Sequence, residues 1–218
     1  SEGNVIINTA EELAWVVLSG GSATVNVNYK VSANSVFNMK GMNGITLNST
    51  ASQVNAATRN STHLWANDSN YFMGNFDGNG LTVYNINAAV GGSYAYTGLF
   101  TVVRPENDAK EINIKNVTVA ASYFEGYHYT GGIIGFAQNQ SSNTGCINVD
   151  SCATKNCYFY DTVRAHNSTS GLIIGQINHN SGNVTNCLAI NNISDAGKIN
   201  GGIVGSSSDY ISTQKISD

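Results

Sequence analysis

The chain has 218 residues, of which 41% are hydrophobic and 11% are charged, and its formal net charge is −4. This length and hydrophobic share are enough for a core that folds on its own, in one large domain or two small ones. A weakly acidic chain without any run of Lys or Arg is not expected to bind nucleic acid or an anionic membrane surface. No stretch approaches the ~18 consecutive apolar residues of a membrane span.

The N-terminal segment, 1–25, predicts a strand followed by a capping helix. In the run "NVIINTAEELAWVVLSGG", Thr9 takes the N-cap position and Glu12 follows three residues later, which is the capping-box pattern. The next turns place three apolar residues on one helical face: Leu13, Val16 and Val17. The glycines at 20–21 would end the helix. A helix in this position can cover the open end of a β-structure, where strand edges would otherwise be unpaired.

The stretch "NFDGNG" at 75–80 has two interpretations. Its alternating oxygen side chains match the first half of an EF-hand calcium loop, but the twelfth position is Ile86, which offers no oxygen. The flanking residues read as strands rather than helices. We therefore predict a corner, in which Asp77 caps a turn and Gly78 and Gly80 adopt conformations closed to other residues.

Two repeated motifs follow one another along the chain. The first has a glycine and apolar residues and occurs at 97–101 ("TGLFT"), 131–135 ("GGIIG"), 171–175 ("GLIIG") and 201–205 ("GGIVG"), in steps of 34, 40 and 30 along the chain. The second is marked by Asn85, Asn116, Asn156 and Asn186, in steps of 31, 40 and 30 along the chain. A period of this size built from short strands predicts a solenoid. The chain has 23 glycines and one proline, which suits a β-structure with many corners.

This interpretation makes the chain a single domain, 1–218, with coils over 26–205 and a C-terminal edge at 206–218. The long middle step predicts an excursion loop at 136–152. Residues that follow the four asparagines should form one inward column: Ile86, Val117, Cys157 and Cys187. The cysteines of this column are interpreted as buried free thiols in preference to a disulfide, whereas Cys146 and Cys152 could pair across the excursion.

The motifs "GNFDGNGLTVYNINA", "TGLF", "GGIIG" and "GGIVG", together with the opening "VIINTAEELAWV", resemble the GLUG-motif family of bacterial surface proteins. The resemblance extends from residue 5 to about residue 205. It implies an all-β, right-handed parallel β-helix that is exported and displayed at the cell surface, outside the cell, as an adhesin-like protein. The chain departs from the pattern in "TGLFT", which lacks the closing glycine, and at Leu172, which replaces a glycine.

Aromatic residues in two consecutive coils are the candidate ligand-binding residues. In "GGSYAYTG" and "FEGYHYTGG", Tyr94 aligns with Tyr127 and Tyr96 with Tyr129. Such tyrosines would stack about 4.8 Å apart as a strip suited to sugar rings or to an apolar patch of a host protein. Four further aromatic residues could extend the strip: Tyr123, Phe124, Tyr158 and Tyr160. The alternative is that these side chains are part of the core.

The sequence offers little for catalysis. Glycoside hydrolysis needs two carboxylates about 5 to 9.5 Å apart, and Asp150, Asp161 and Asp195 have no evident partner. We therefore assign no catalytic residue, no metal and no cofactor, and expect a non-catalytic module that binds a glycan or a host-surface protein. The alternatives are a polysaccharide-degrading β-helix enzyme and a structural spacer within a larger surface protein.

Overall fold

The computed structural model describes residues 3–19, 23–42, 45–47, 54–56, 71–88, 96–107, 110–138, 146–161, 168–178, 182–195, 199–207 and 216–217. These residues form one helix, α1 (Ala10–Ser19), and the following strands: β1 (Val5–Ile7), β2 (Asn28–Val31), β3 (Val36–Asn38), β4 (Ile45–Leu47), β5 (Val54–Ala56), β6 (Tyr71–Phe72), β7 (Asn75–Tyr84), β8 (Asn87–Ala88), β9 (Tyr96–Thr97), β10 (Phe100–Val103), β11 (Glu111–Ala120), β12 (Tyr123–Gly126), β13 (Tyr129–Gly131), β14 (Ile134–Gln138), β15 (Cys146–Asp150), β16 (Ala153–Lys155), β17 (Tyr158–Asp161), β18 (Thr169–Gly171), β19 (Ile174–Asn178), β20 (Val184–Thr185), β21 (Leu188–Ile190), β22 (Ile193–Asp195), β23 (Ile199–Gly201), β24 (Val204–Ser207) and β25 (Ile216–Ser217).

Four parallel sheets form the walls of a coil. Sheet 1 contains β1–β2–β7–β11–β15–β20–β25 with β3, β16 and β21 alongside; sheet 2 contains β8–β12–β17–β22; sheet 3 contains β9–β13–β18–β23; and sheet 4 contains β6–β10–β14–β19–β24. From β7 onward the chain visits sheets 1, 2, 3 and 4 in turn and then returns to sheet 1. The chain is therefore the expected all-β parallel β-helix, with an N-terminal helix at the β1 end.

The capping box that the sequence predicts is present. The backbone N–H of Glu12 donates to Thr9 Oγ1 over 3.2 Å, and the N–H of Thr9 donates to Glu12 Oε2 over 3.3 Å. The predicted apolar face is buried in the same core cluster as the first strands: Leu13, Val16 and Val17, joined by Ala14. Because β1 is the edge strand of sheet 1, this helix covers the core at that end. The two glycines expected to end it lie outside the described residues.

From β7 onward each coil has two corners in sheet 1, and at both the chain passes through left-handed backbone. The first corner is formed by Asn34, Asn79, Asn116, Ser151 and Asn186, and the second by Asn85, Ala121, Asn156 and Asn191, all with φ between 45° and 61°. Asparagine tolerates this conformation better than most residues, which explains its abundance here. Counted from the coil of Asn34, the corners recur evenly from the third coil onward: Asn116, Ser151 and Asn186 follow one another at steps of 35 residues.

The predicted asparagine alignment mixes these two corners and is wrong. Val117 pairs with Leu81, and Val117, Cys152 and Cys187 follow the first corner in successive coils. Ile86 and Cys157 instead follow the second corner, in one column with Ser122 and Asn192. The expected single column is therefore two columns. Its members do face inward, since Ile86, Val117 and Cys157 are buried and Cys187 is half-buried.

The glycine motif, in contrast, is aligned as predicted. The N–H of Leu99 donates to the carbonyl of Gly132, that of Gly132 to Leu172, and that of Leu172 to Gly202. In the register of sheet 4, Phe100 pairs with Ile134, Ile134 with Ile174 and Ile174 with Val204, which are the steps of 34, 40 and 30 that the sequence predicts. Irregular coil lengths therefore coexist with regular corners, because segments between the sheets differ in length.

The long middle step comes only in part from the range 136–152: eleven positions lead from Gln138 to Val149, whereas six lead from their partner Asn178 to Val184. The described parts of that range continue β14 to Gln138 and form β15 from Cys146 to Asp150. The rest of the extra length lies between sheets 2 and 3. Two residues separate the paired ends at Gly126 and Tyr129, whereas seven separate Asp161 and Thr169.

Two polar ladders run along the outside of sheet 1. One is an asparagine ladder of Asn28, Asn75, Asn113, Asn148 and Asn183, in which each amide bonds to the preceding one; for example, Asn148 Nδ2 donates to Asn113 Oδ1 over 3.1 Å. The other is a charged column of Lys30, Asp77, Lys115 and Asp150, in which the sign alternates at each rung. The asparagine ladder therefore joins five successive coils by side-chain hydrogen bonds.

Candidate functional site

The stretch 75–80 is a corner within one long strand, β7. Asp77 Oδ1 accepts hydrogen bonds of 2.9 Å from the N–H of Asn79 and from Asn116 Nδ2 of the next coil. Gly80 has a φ of 85°, as expected. Gly78 does not, and is required for another reason: a Cβ there would overlap the carbonyl oxygen of Asn116. The side chain of Asp77 therefore joins two coils.

Carboxylates of the charged column are held in the ionised form. Burial opposes ionisation of Asp77, but its hydrogen bonds and the ammonium of Lys115, 3.7 Å away, outweigh it and lower the pKa. At Asp150 the hydrogen bond from Thr185 Oγ1, 2.6 Å long, is the main cause of a lowered pKa, and the amide of Asn186 adds to it. Both groups are engaged in the corner, which leaves them unsuited to general acid catalysis.

A groove with a volume of about 610 Å³ runs along the second corner where sheet 1 meets sheet 2. Its floor contains the corner residues Asn85, Ala121 and Asn156, and its wall is the first outward column of sheet 2: Asn87, Tyr123 and Tyr158. Lys40 and Gly41 line it as well. This volume lies within the range of small-molecule sites.

The two tyrosines of the wall are stacked on one another. Tyr123 pairs with Tyr158 in parallel register, and their ring centroids are 5.5 Å apart with an interplanar angle of 4°. A ladder of this kind presents ring edges and hydroxyl groups to solvent, not the flat faces that the sequence analysis expected. A face is left only at an end of the ladder. Tyr123 lies at such an end, because the residue on the rung opposite to Tyr158 is Asn87. Among the described residues no second ring stacks on that face of Tyr123.

The hydroxyl group of Tyr123 is fixed by an acidic neighbour. It donates to Glu125 Oε2 over 3.1 Å. Burial, together with the negative charge and hydrogen bond of Glu125, raises the pKa of Tyr123 to about 12. The ring is therefore neutral at physiological pH and held in one orientation, which is a favourable starting point for stacking against a ligand.

The other predicted tyrosines lie in sheet 3 or beside it. Tyr96 and Tyr129 are stacked with centroids 5.0 Å apart, as their alignment predicts, and Phe136 lies 4.9 Å from each. Tyr127 contacts His128 edge to face at 4.5 Å. Burial raises the pKa of Tyr129. None of these three tyrosines lines the groove, and Tyr94 lies outside the described residues.

Phe124 is in the core, so its prediction as a ligand-binding residue is wrong. Its side chain is fully buried and stacks on Phe159 with centroids 5.5 Å apart. Adjacent residues of a strand point to opposite sides of the sheet, and Tyr123 takes the outward position. Strand alternation was the signal that could have separated the two residues.

Sequence reasoning missed the amides of the groove. In the sequence, Asn85 and Asn156 serve only as markers of the second repeated motif, and Asn87 belongs to no predicted site. The signal that could have identified the groove is the sequence separation between Tyr123 and Tyr158, which equals the corner spacing and places both rings beside the second corner.

Acidic residues come together in one place outside the corner. Glu125, Tyr160 and Asp195 occupy one outward column of sheet 2, so the two acidic residues are separated by two rungs, about 9.6 Å. This is at the upper limit for a glycosidase pair, and Tyr160 stands between them. In the part of the chain that the structure describes, no three His, Cys, Asp or Glu side chains gather as a metal site.

No helix among the described residues is long and apolar enough to cross a membrane. Compared with known proteins, the chain matches no family model, no curated protein and no solved structure. Its function must therefore be argued from its own residues.

Proposed function

We propose that this protein is a non-catalytic binding module displayed outside a bacterial cell, and that it holds a glycan in the groove between sheets 1 and 2. The repeated glycine motifs and the "NFDGNG" corner support a surface role through their resemblance to adhesin-like proteins. The groove supports the choice of glycan over a protein partner, because amide side chains and tyrosine rings lie together in its lining.

The observation that carries the proposal is the combination of one aromatic face with several amides. A sugar ring has a C–H face that packs on an aromatic ring and hydroxyl groups that need donors and acceptors. Tyr123 offers the ring. Beside it lie Asn85, Asn87 and Asn156, whose side-chain amides each have an NH₂ donor and a carbonyl acceptor. The hydrogen bond to Glu125 holds the ring of Tyr123 in place.

The charge of the groove favours an uncharged sugar. Of the described residues that line it, only Lys40 is charged. A polyanionic glycan would need several cations along its length, and its repulsion by the overall charge of −4 would add to the cost. A neutral hexose polymer, or one with a single acidic group, fits this lining better.

A glycan array with purified protein tests the proposal, followed by titration of the best ligand. Tyr123→Ala should weaken binding about tenfold or more, because an aromatic stacking contact contributes about 1 to 1.5 kcal/mol beyond the area that it buries. Tyr123→Phe keeps the ring and should bind nearly as well as the parent protein.

Tyr129→Ala is the matched control, since it removes one ring of an equally stacked pair in sheet 3. It should leave the affinity unchanged. The thermal unfolding of each variant shows whether the coil is intact. Equal affinity of Tyr123→Ala and the parent protein, or an equal loss in Tyr129→Ala, would exclude the groove as the binding site.

Whether the glycan identified in the array stays intact in the presence of the protein distinguishes a binding module from a hydrolase. The pair Glu125 and Asp195 is the arrangement that most resembles a catalytic one. We expect the glycan to be recovered intact after long incubation. Release of shorter sugars that stops in Glu125→Gln would instead establish the hydrolase alternative.

A further inference from the structure

Two of the four cysteines lie on adjacent rungs of the coil. Cys152 and Cys187 each follow the first corner, after Ser151 and Asn186. The strands that they begin are paired in parallel, with Ala153 opposite Leu188, and the N–H of Leu188 donates to the carbonyl of Cys152 over 2.9 Å. Neighbouring rungs are about 4.8 Å apart, which lies within the Cα separations that disulfides span.

The two side chains also meet. The thiols interact with each other, and this interaction raises the pKa of Cys152 and lowers that of Cys187. Their S–H groups donate to backbone carbonyls, that of Cys152 to Asp150 over 3.4 Å and that of Cys187 to Val149 over 3.8 Å. Cys152 is almost fully buried, whereas Cys187 is only half-buried. The more accessible sulfur is therefore also the one that ionises more readily.

Neither of the other cysteines has such a neighbour among the described residues. The rungs on either side of Cys157 carry Ser122 and Asn192, and Cys146 pairs with Glu111. Cys146 and Cys152 are at opposite ends of one strand and its corner, so the pairing considered from the sequence is too long.

We propose that Cys152 and Cys187 are a cross-linking site, where a low-molecular-weight disulfide such as oxidised glutathione joins the fourth and fifth coils. The Cys187 thiolate attacks one sulfur of the oxidant, forming a mixed disulfide and releasing one thiol. Cys152 then loses its proton, attacks the Cys187 sulfur and releases the second thiol. The protein gives up two electrons and two protons, and one oxidant molecule becomes two thiols.

The cross-link encloses the segment 153–186 between the two cysteines, which amounts to one coil. A loop of this length, closed without strain, should raise the Tm of a chain of this size by about 10 °C. The effect would fall on the last coils, where Leu188 and Ile193 are exposed.

Peptide mapping tests the site directly. Trypsin separates the relevant cysteines into the peptides 116–155, 156–164 and 165–198, and the Cys146→Ser variant leaves Cys152 as the one thiol in the first of them. After treatment with oxidised glutathione and blocking of free thiols, we expect the first and third peptides joined, with a mass lower than their sum by two hydrogens. The peptide with Cys157 should be recovered blocked.

Recovery of the first and third peptides separately, or a link that includes Cys157, would overturn the proposal. Thermal unfolding is the second measurement. The oxidant should raise the Tm of the parent protein and leave that of Cys187→Ser unchanged. Cys187→Ser alters a half-buried position, which favours a folded control. An equal response of both proteins would count against this cross-link.

Discussion

The corner at Asp77 allows the contribution of a single side-chain bond between coils to be predicted. In Asn116→Ala the new residue must adopt a φ of 59°, and the hydrogen bond from the Asn116 side chain to Asp77 is lost. The left-handed backbone costs alanine about 1 kcal/mol. A hydrogen bond to a carboxylate contributes about 1.5 kcal/mol at the lower end of its range, which suits the 25% exposure of this side chain.

These two costs together predict that Asn116→Ala loses about 2.5 kcal/mol of unfolding free energy. For a chain of this size the Tm should fall by about 5 to 10 °C. Asn156→Ala is the control: its φ of 54° is almost the same, but its side chain makes no hydrogen bond to a described residue. It should lose about 1 kcal/mol and about 2 to 4 °C, from the backbone cost alone.

Urea unfolding, followed by circular dichroism, measures both variants, the single variant Asp77→Ala and the double variant Asp77→Ala/Asn116→Ala. Once Asp77 is removed, the substitution of Asn116 should cost only the backbone part, so the coupling is about 1.5 kcal/mol. If Asn116→Ala and Asn156→Ala are equally destabilised, the bond between the coils contributes nothing and the reasoning is refuted.

Two further outcomes follow from the same fold. Because the pKa values of Asp77 and Asp150 are lowered by folding, their contribution is present above the unfolded value of about 4 and is lost as the pH falls through the folded values. The Tm difference between the parent protein and Asp77→Asn/Asp150→Asn should thus be constant at neutral pH and shrink below pH ~4; a constant difference throughout would contradict this. Gly132→Ala places a Cβ 2.8 Å from the carbonyl oxygen of Leu172 and should cost about 1 to 3 kcal/mol, whereas Gly202→Ala, with open space around it, should unfold like the parent protein.

The architecture could be predicted because its signals are local. The capping box at Thr9 and Glu12 depends on four consecutive residues. The glycine motif marks a place where backbones approach closely, as at Gly132, and few residues can replace glycine there. Both signals therefore gave elements that the structure contains, and the glycine motif gave the correct register.

The asparagine motif misled because the same local need arises twice in each coil. Both corners require left-handed backbone, and they lie close together in sequence, as at Ser151 and Asn156. A serine occupies one site and an alanine, Ala121, occupies another, so asparagine alone does not identify which corner is present. An alignment on the even step from Asn116 to Ser151 to Asn186 would have resolved the ambiguity.

The groove could be predicted only in part, for a related reason. Stacking of Tyr123 on Tyr158 follows from the correct register, which the sequence reasoning did not have. Which face of a ring stays accessible depends on the neighbouring rung, and here that residue is Asn87. The accessible face of Tyr123 can therefore be identified only once the pairing of the coils is known.

The alternating column of Lys30, Asp77, Lys115 and Asp150 has a consequence for folding. In a solenoid, neighbouring turns are so similar that a strand can add to the wrong turn with most of its contacts preserved. If one turn were skipped, Lys115 would be set against Lys30, or Asp150 against Asp77, and facing like charges are unfavourable. The alternation of charge along this column therefore disfavours assemblies in which a strand is shifted by one turn.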